Sequence, residues 1–177
     1  MEVRKILVCA LAALLAGVPI AAQAEQLEFD HRLYPPLKQV LDSGNSDMVA
    51  FDAKNPSRMV DLIAVRGKSA KTWTEALEIV AILPVPKVET AQAWMDIQRS
   101  AALARCPATF KVIAQDDISI TYERQSPSCR AERAETGIYR LITGKRSWFQ
   151  LTVLSKTPLD AAARDQWLAL LASAHFK

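Results

Sequence analysis

Cys106 and Cys129 are the only thiols in residues 25–177, and two cysteines alone in such a chain invite one of two chemistries. Either they close a structural disulfide or they form a redox pair. Their spacing is far from the C-x-x-C arrangement that tunes a thiolate for exchange, so the structural bond is the expectation. In the chain-entropy picture, closing a loop of that length stabilises a fold by about 3 kcal/mol.

Arginine supplies the second recurrent chemistry. Arg124, Arg130, Arg133, Arg140, Lys145 and Arg146 fall in the second half of the chain, and a guanidinium can hold a carboxylate or phosphate through two parallel hydrogen bonds. Glu123, Glu132 and Glu135 stand among them, so ordinary surface pairing is expected. If a partner is held, Arg130, Arg133, Arg140 and Arg146 are the candidates. Aromatic residues do not interleave with these cations as a nucleic-acid platform requires. Trp73 and Trp94 are expected core anchors, and they would also line an apolar pocket between helices and sheet if one is left open.

Catalytic patterns are scarce. His31 and His175 are the only histidines, so no local cluster with zinc-ligand spacing exists and no metal is expected. The sequence contains no G-x-S-x-G, H-E-x-x-H, P-loop or dinucleotide glycine pattern, and five glycines offer little for cradling phosphates. No cofactor is expected. Asp116-Asp117 are adjacent, and adjacent residues of a turn point apart, which favours a solvated turn over a carboxylate dyad. A hydrolase would have to assemble its site through space, around His31 or His175.

The compartment follows from the first 24 residues. Arg4 and Lys5 precede an uncharged, largely apolar run from Ile6 to Ala22, and Ala22-Gln23-Ala24 has the small-x-small form of a signal-peptidase site. Cleavage after Ala24 is expected, with residues 25–177 forming one domain in the periplasm. Gly17 and Pro19 interrupt a run already short for a spanning helix, so no lasting membrane span is expected. The whole chain has 22 basic and 19 acidic side chains and a net charge of +3. Losing Glu2, Arg4 and Lys5 lowers the net charge to about +2, well short of a nucleic-acid binder.

The elements that must position these residues read as follows. Leu37, Val40 and Leu41 have helical spacing after Pro35-Pro36, while Met48–Asp52 and Met59–Val65 read as a hairpin around Asn55-Pro56-Ser57. Thr72 and Glu75 have capping-box spacing, and Trp73, Ala76, Leu77, Val80 and Ala81 recur at helical intervals, which predicts a helix ending at Pro84. A second helix is predicted over Glu89–Arg105, with Trp94, Ile97, Ala101 and Ala104 on its apolar face. Phe110–Gln115 with Ile118–Arg124, and Ile138–Thr143 with Trp148–Leu154, read as two hairpins. Between the hairpins, residues 125–135 form a polar loop carrying Cys129. Thr157-Pro158-Leu159-Asp160 starts a terminal helix whose face of Leu159, Ala163, Trp167, Leu170, Leu171 and Ala174 should cover the sheet.

This order predicts an α+β fold, an antiparallel sheet of about six strands with helices packed against it. The export signal, the Thr72-Trp73-Thr74-Glu75 helix start, the Cys106 and Cys129 pair and the Ile138–Gly144 strand ending make the chain resemble small exported α+β proteins of Gram-negative bacteria. The element order is similar to the PsbP-like sandwich. That resemblance implies a sheet-and-helix fold of the kind used by non-catalytic adaptors, and it carries no site residue. The function expected is a non-enzymatic periplasmic protein that binds or assists an envelope partner through a sheet face or the loop around Cys129. A small secreted hydrolase and a small-ligand carrier are the alternatives.

Overall fold

The computed structural model describes residues 25–43, 48–51, 58–67, 71–129 and 133–177. Residues 1–24, expected to be an export signal, and Arg130 and Glu132 lie outside them. In chain order the elements are β1 (Leu27–Glu28), a 3-10 turn (His31–Leu33), α1 (Pro35–Asp42), β2 (Met48–Phe51), β3 (Arg58–Gly67), β4 (Trp73–Ile82) and α2 (Ala91–Leu103). There follow β5 (Thr109–Gln115), β6 (Ser119–Gln125), β7 (Thr136–Thr143), β8 (Trp148–Ser155), α3 (Ala161–Ala172) and β9 (His175–Phe176). The fold is α+β. Among the described residues, seven strands form one sheet in the order β2-β3-β4-β8-β7-β6-β5, and β1 pairs with β9 beside it. Every neighbouring pair is antiparallel.

The helix predicted to start at Thr72 requires a correction to the sequence reading. Residues 73–82 form β4 and not a helix. Trp-Thr-Glu-Ala-Leu-Glu-Ile-Val-Ala-Ile satisfies the helical period and also the strand period, with Leu77 and Ile79 on one side and Val80 and Ile82 on the other. Position decides between them. β4 is paired along its length with β3 and β8, and a strand covered on both faces needs apolar residues on both. The helix start at Thr72, one of the features behind the resemblance, is therefore absent.

β4 also explains the topology. From its end the chain crosses one face of the sheet as α2, reaches the far edge at β5, and returns through β6 and β7 until β8 closes against β4. α2 is capped by the Thr90 side chain and is shorter than the 89–105 span predicted. Its buried residues are Ala91, Trp94 and Met95, while Ile97, expected in the core, is 53% exposed.

Helices cover both faces. On one face, α1 and α3 bury Leu37, Trp167, Leu170 and Leu171 against Ile63, Leu77, Ile138, Leu151 and Val153. On the other, α2 buries Trp94 and Met95 against Ile120, Tyr122, Tyr139, Leu141 and Trp148. β7 shows the alternation directly, with Ile138 and Ile142 in the first cluster and Tyr139 and Leu141 in the second. α3 uses the apolar face its sequence predicts, yet it begins three residues later: Asp160, not Thr157, is the cap, accepting from the Ala163 N–H at 2.7 Å. Burying a leucine or an indole of this kind contributes about 1.5–3 kcal/mol each.

A buried carboxylate ties this α3 face together. Glu75, 5% exposed on β4, accepts the Trp167 Nε1–H of α3 at 2.8 Å and the Tyr34 hydroxyl just before α1. Arg66 Nε reaches its other oxygen at 3.1 Å from solvent. Burial first, and then the hydrogen bond to Glu75, push the Tyr34 phenol up to about 12 from an ordinary 10.0. Burial also raises Tyr122 and Tyr139. Between pH 10.0 and about 12 the folded Tyr34 keeps a proton that the unfolded chain has released. Its contribution is therefore whole below pH 10.0 and is lost as pH rises through about 12. Unfolding free energies from urea titrations should hold steady to pH 10 and then fall by up to about 1.4 kcal/mol per pH unit for each such tyrosine. Free energies that stay level to pH 11.5 would contradict this.

Candidate functional site

The two halves of α2 meet the sheet differently. Its first half is packed down, with the Trp94 and Trp148 rings 5.2 Å apart, whereas Ser100, Ala101 and Leu103 in the second half are exposed. Between that second half and strands β6 and β7 a cleft opens in two adjoining lobes that share Ala102, Arg105, Arg124 and Tyr139. The first lobe, about 320 Å³, is completed by Trp73, Cys106, Cys129, Arg133, Ala134 and Leu154. The second, about 420 Å³, adds Arg58, Glu78, Gln98, Phe110, Tyr122 and Gln150.

Strand geometry makes the first lobe cationic. Arg124 of β6 projects to the α2 face, where its guanidinium carbon lies 5.5 Å from the Tyr139 ring centroid. Gly137 is the cross-strand partner of Arg124, and a Cβ there would come within 2.6 Å of Tyr139 Cε2, so glycine leaves room for the ring. Glu123, one residue earlier, must project to the opposite face. There it accepts both Nε (3.1 Å) and Nη2 (2.9 Å) of Arg164 from α3. The pairing of this glutamate with nearby arginines expected from sequence is thus made with a different arginine. Among the described residues no carboxylate pairs with Arg105, Arg124 or Arg133. Arg105 Nε donates to the Ala101 carbonyl at 2.9 Å. Arg124 Nε is buried and has no hydrogen-bond partner among the described residues.

The second lobe is polar, adding Arg58 and Glu78 to the shared Arg105 and Arg124. Burial pushes the Glu78 carboxyl above its ordinary range, and Arg58 pulls it back. A hydrogen-bond chain crosses the floor: Tyr122 OH donates to Gln98 (2.9 Å), Gln98 to Gln150 (2.6 Å) and Gln150 to Thr152 (2.8 Å). The Tyr122 and Tyr139 rings stack at 4.8 Å with 2° between their planes.

Cys106 and Cys129 form a disulfide-distance pair, with Cα atoms 5.9 Å apart. Cys106 follows α2 and Cys129 sits in the loop between β6 and β7, whose base is held by the Ser126 N–H to Glu135 carbonyl bond at 2.7 Å. The pair therefore joins one wall of the first lobe to the other. Replacing both cysteines by serine is expected to lower stability by about 3 kcal/mol under oxidising conditions. A reductant should lower the wild-type urea midpoint equally and leave the variant unchanged; a wild type insensitive to reductant would mean the thiols are not bonded.

Of the four arginines singled out from sequence, Arg133, Arg140 and Arg146 are described and are not brought together. Arg133 stands exposed at the cleft. Arg140 is half-buried on the opposite face, its Nη1 donating to the Leu171 carbonyl at 2.9 Å and its charge disfavoured by burial. Arg146 is in the β7–β8 turn, whose backbone N–H groups at Lys145, Arg146 and Ser147 donate to the Glu25 carboxylate at 3.2, 2.9 and 2.9 Å. Trp73 lines the cleft with Lys156 Nζ 4.7 Å from its ring centroid, whereas Trp94 is 6% exposed and belongs to the core. Neither histidine lines the cleft. Asp116 holds its turn by accepting from the Ile118 and Ser119 N–H groups and the Ser119 hydroxyl. Among the described residues no three His, Cys, Asp or Glu side chains gather as metal ligands, and no helix is long and apolar enough to cross a membrane.

The sequence reading missed Arg105 and Tyr139, and it counted Arg124 in the basic set without making it a candidate. The parity of Glu123 against Arg124 was the available signal, and it becomes informative only once both faces of the sheet are known to carry helices. Comparison with protein-family models and with curated proteins finds no match.

Proposed function

We propose that this is a non-enzymatic periplasmic binding or accessory protein that engages an envelope partner through the cleft beside α2 and the loop around Cys129. The observation that carries the reading is the convergence of Arg105, Arg124 and Arg133 on one cleft with no carboxylate partner among the described residues. Such cations steer and orient an anionic partner more than they stabilise the fold. Export supplies the compartment, and a bonded Cys106–Cys129 pair suits it. Alanine at Arg105 and Arg133 together should weaken capture of the partner from a periplasmic extract by roughly tenfold or more. Equal capture by wild type and variant would refute the arginine-based reading. A small-ligand carrier is the second reading, favoured by lobes of about 320 and 420 Å³, a size suited to small molecules.

A further inference from the structure

We propose that the first lobe of the cleft binds the oxyanion of a small organic molecule, a carboxylate or a phosphate monoester, clamped by Arg124 and flanked by Arg105 and Arg133. This deepens the binding-protein reading and rests on it. Arg124 is the central observation. Among the described residues its Nε is buried without an acceptor and no carboxylate pairs with it, while the Tyr139 ring centroid lies 5.5 Å from its guanidinium carbon. Buried N–H groups are ordinarily paired, and a guanidinium beside an aromatic face still offers its Nη donors to a planar anion. Arg140 Nε is the comparison: it too lacks a partner, but its guanidinium is already committed to the Leu171 carbonyl.

The rest of the lining narrows the ligand. No carboxylate lines the first lobe among the described residues, so a cation has nothing to hold it there. Ala102, Ala134, Leu154 and the Tyr139 ring present apolar surface, which a bare inorganic ion would leave uncovered. Beyond Tyr139 the second lobe carries Gln98 and Gln150, where a polar group on the ligand would find hydrogen bonds. The fitting molecule has an anionic end and an apolar or aromatic body.

The test is an amide NMR titration of the whole exported protein with benzoate, phenyl phosphate, inorganic phosphate and benzyl alcohol at low salt. Saturable shifts at Arg124, Ala134 and Tyr139 are expected with benzoate or phenyl phosphate, and the tighter of the two identifies the carboxylate or the phosphate. Benzyl alcohol should give none, and inorganic phosphate should bind roughly tenfold more weakly than phenyl phosphate. Arg124→Met should weaken binding by roughly tenfold or more, Arg124→Lys by less because it keeps charge without the fork, and Arg146→Gln not at all. A melting temperature for Arg124→Met equal to wild type separates lost binding from lost folding; Arg124→Lys serves if it does not fold. No saturable shift at millimolar ligand, undiminished binding by Arg124→Met, or equal affinity for inorganic phosphate would overturn the proposal. If small anions fail while partner capture still depends on Arg105 and Arg133, the ligand class falls and the docking reading stands. If both fail, both fall.

Discussion

Replacing Glu75 by alanine is expected to destabilise the protein by about 3–5 kcal/mol, because it strips the acceptor from two buried donors at once. The Trp167 indole N–H and the Tyr34 hydroxyl both end on this carboxylate, inside a cluster where Trp167 is 0% and Tyr34 1% exposed. Neither donor can turn to water without opening the contact of α1 and α3 with the sheet. For a chain of this size that loss corresponds to a fall in melting temperature of roughly 10–15 °C. Glu75→Gln keeps an acceptor of the same shape and should cost only about 1–2 kcal/mol. Arg66→Ala should cost less than about 1 kcal/mol, since Arg66 is itself exposed and its pairing is screened. Urea unfolding followed by tryptophan fluorescence checks all three. A loss below about 1 kcal/mol for the alanine variant would show that the carboxylate does not organise this face.

Trp167→Ala should be comparably damaging, about 3–5 kcal/mol, for a different reason. The indole is the largest fully buried side chain, its ring centroid is 4.0 Å from that of Tyr34, and its removal leaves a cavity at the centre of the α3 contact. Trp167→Phe restores most of the apolar volume but not the N–H, so its loss should be nearer 1–2 kcal/mol, while Glu75 retains Tyr34 and Arg66 as partners. The two sites share a hydrogen bond, so the Glu75→Ala, Trp167→Ala double variant should lose less than the sum of the single losses. Strict additivity in a double-mutant cycle would mean that Glu75 and Trp167 act independently.

Much of the fold was legible because its signals are local. The turn at Asp116-Asp117 and the Gly144–Ser147 turn sit between clean strand patterns, and both hairpins form with them. The apolar face of α3 is written at helical spacing and is buried as written. Residues 73–82 were misread because their pattern fits two periods, and only the pairing of β4 with strands distant in sequence selects one. Glu75 shows the consequence. At capping-box spacing it reads as an exposed helix-start acid, yet the register that sets it opposite Ser155 turns it inward beneath Trp167.

The candidate site was legible only in fragments. Arg133, Trp73 and both cysteines were marked by residue type, and the structure places them on one cleft. Arg130, Arg133, Arg140 and Arg146 look like a single basic set along the chain. A strand sends successive side chains to opposite faces, and an eight-residue strand moves its ends far apart, so Arg140 points under α3 while Arg146 lies in the turn at the end of β7 away from Arg133.

By itself the sequence determined the fold class, the hairpins, the terminal helix and the pair of thiols, since each depends on residues near one another or on simple counting. Tertiary structure alone decided that β4 is a strand, that Glu75 is a buried hub, and that Arg124 faces a cleft while Glu123 faces Arg164. The reason is that the side of a sheet a residue occupies is set by register and by which helix covers that side, and both are fixed by contacts between segments far apart in the chain.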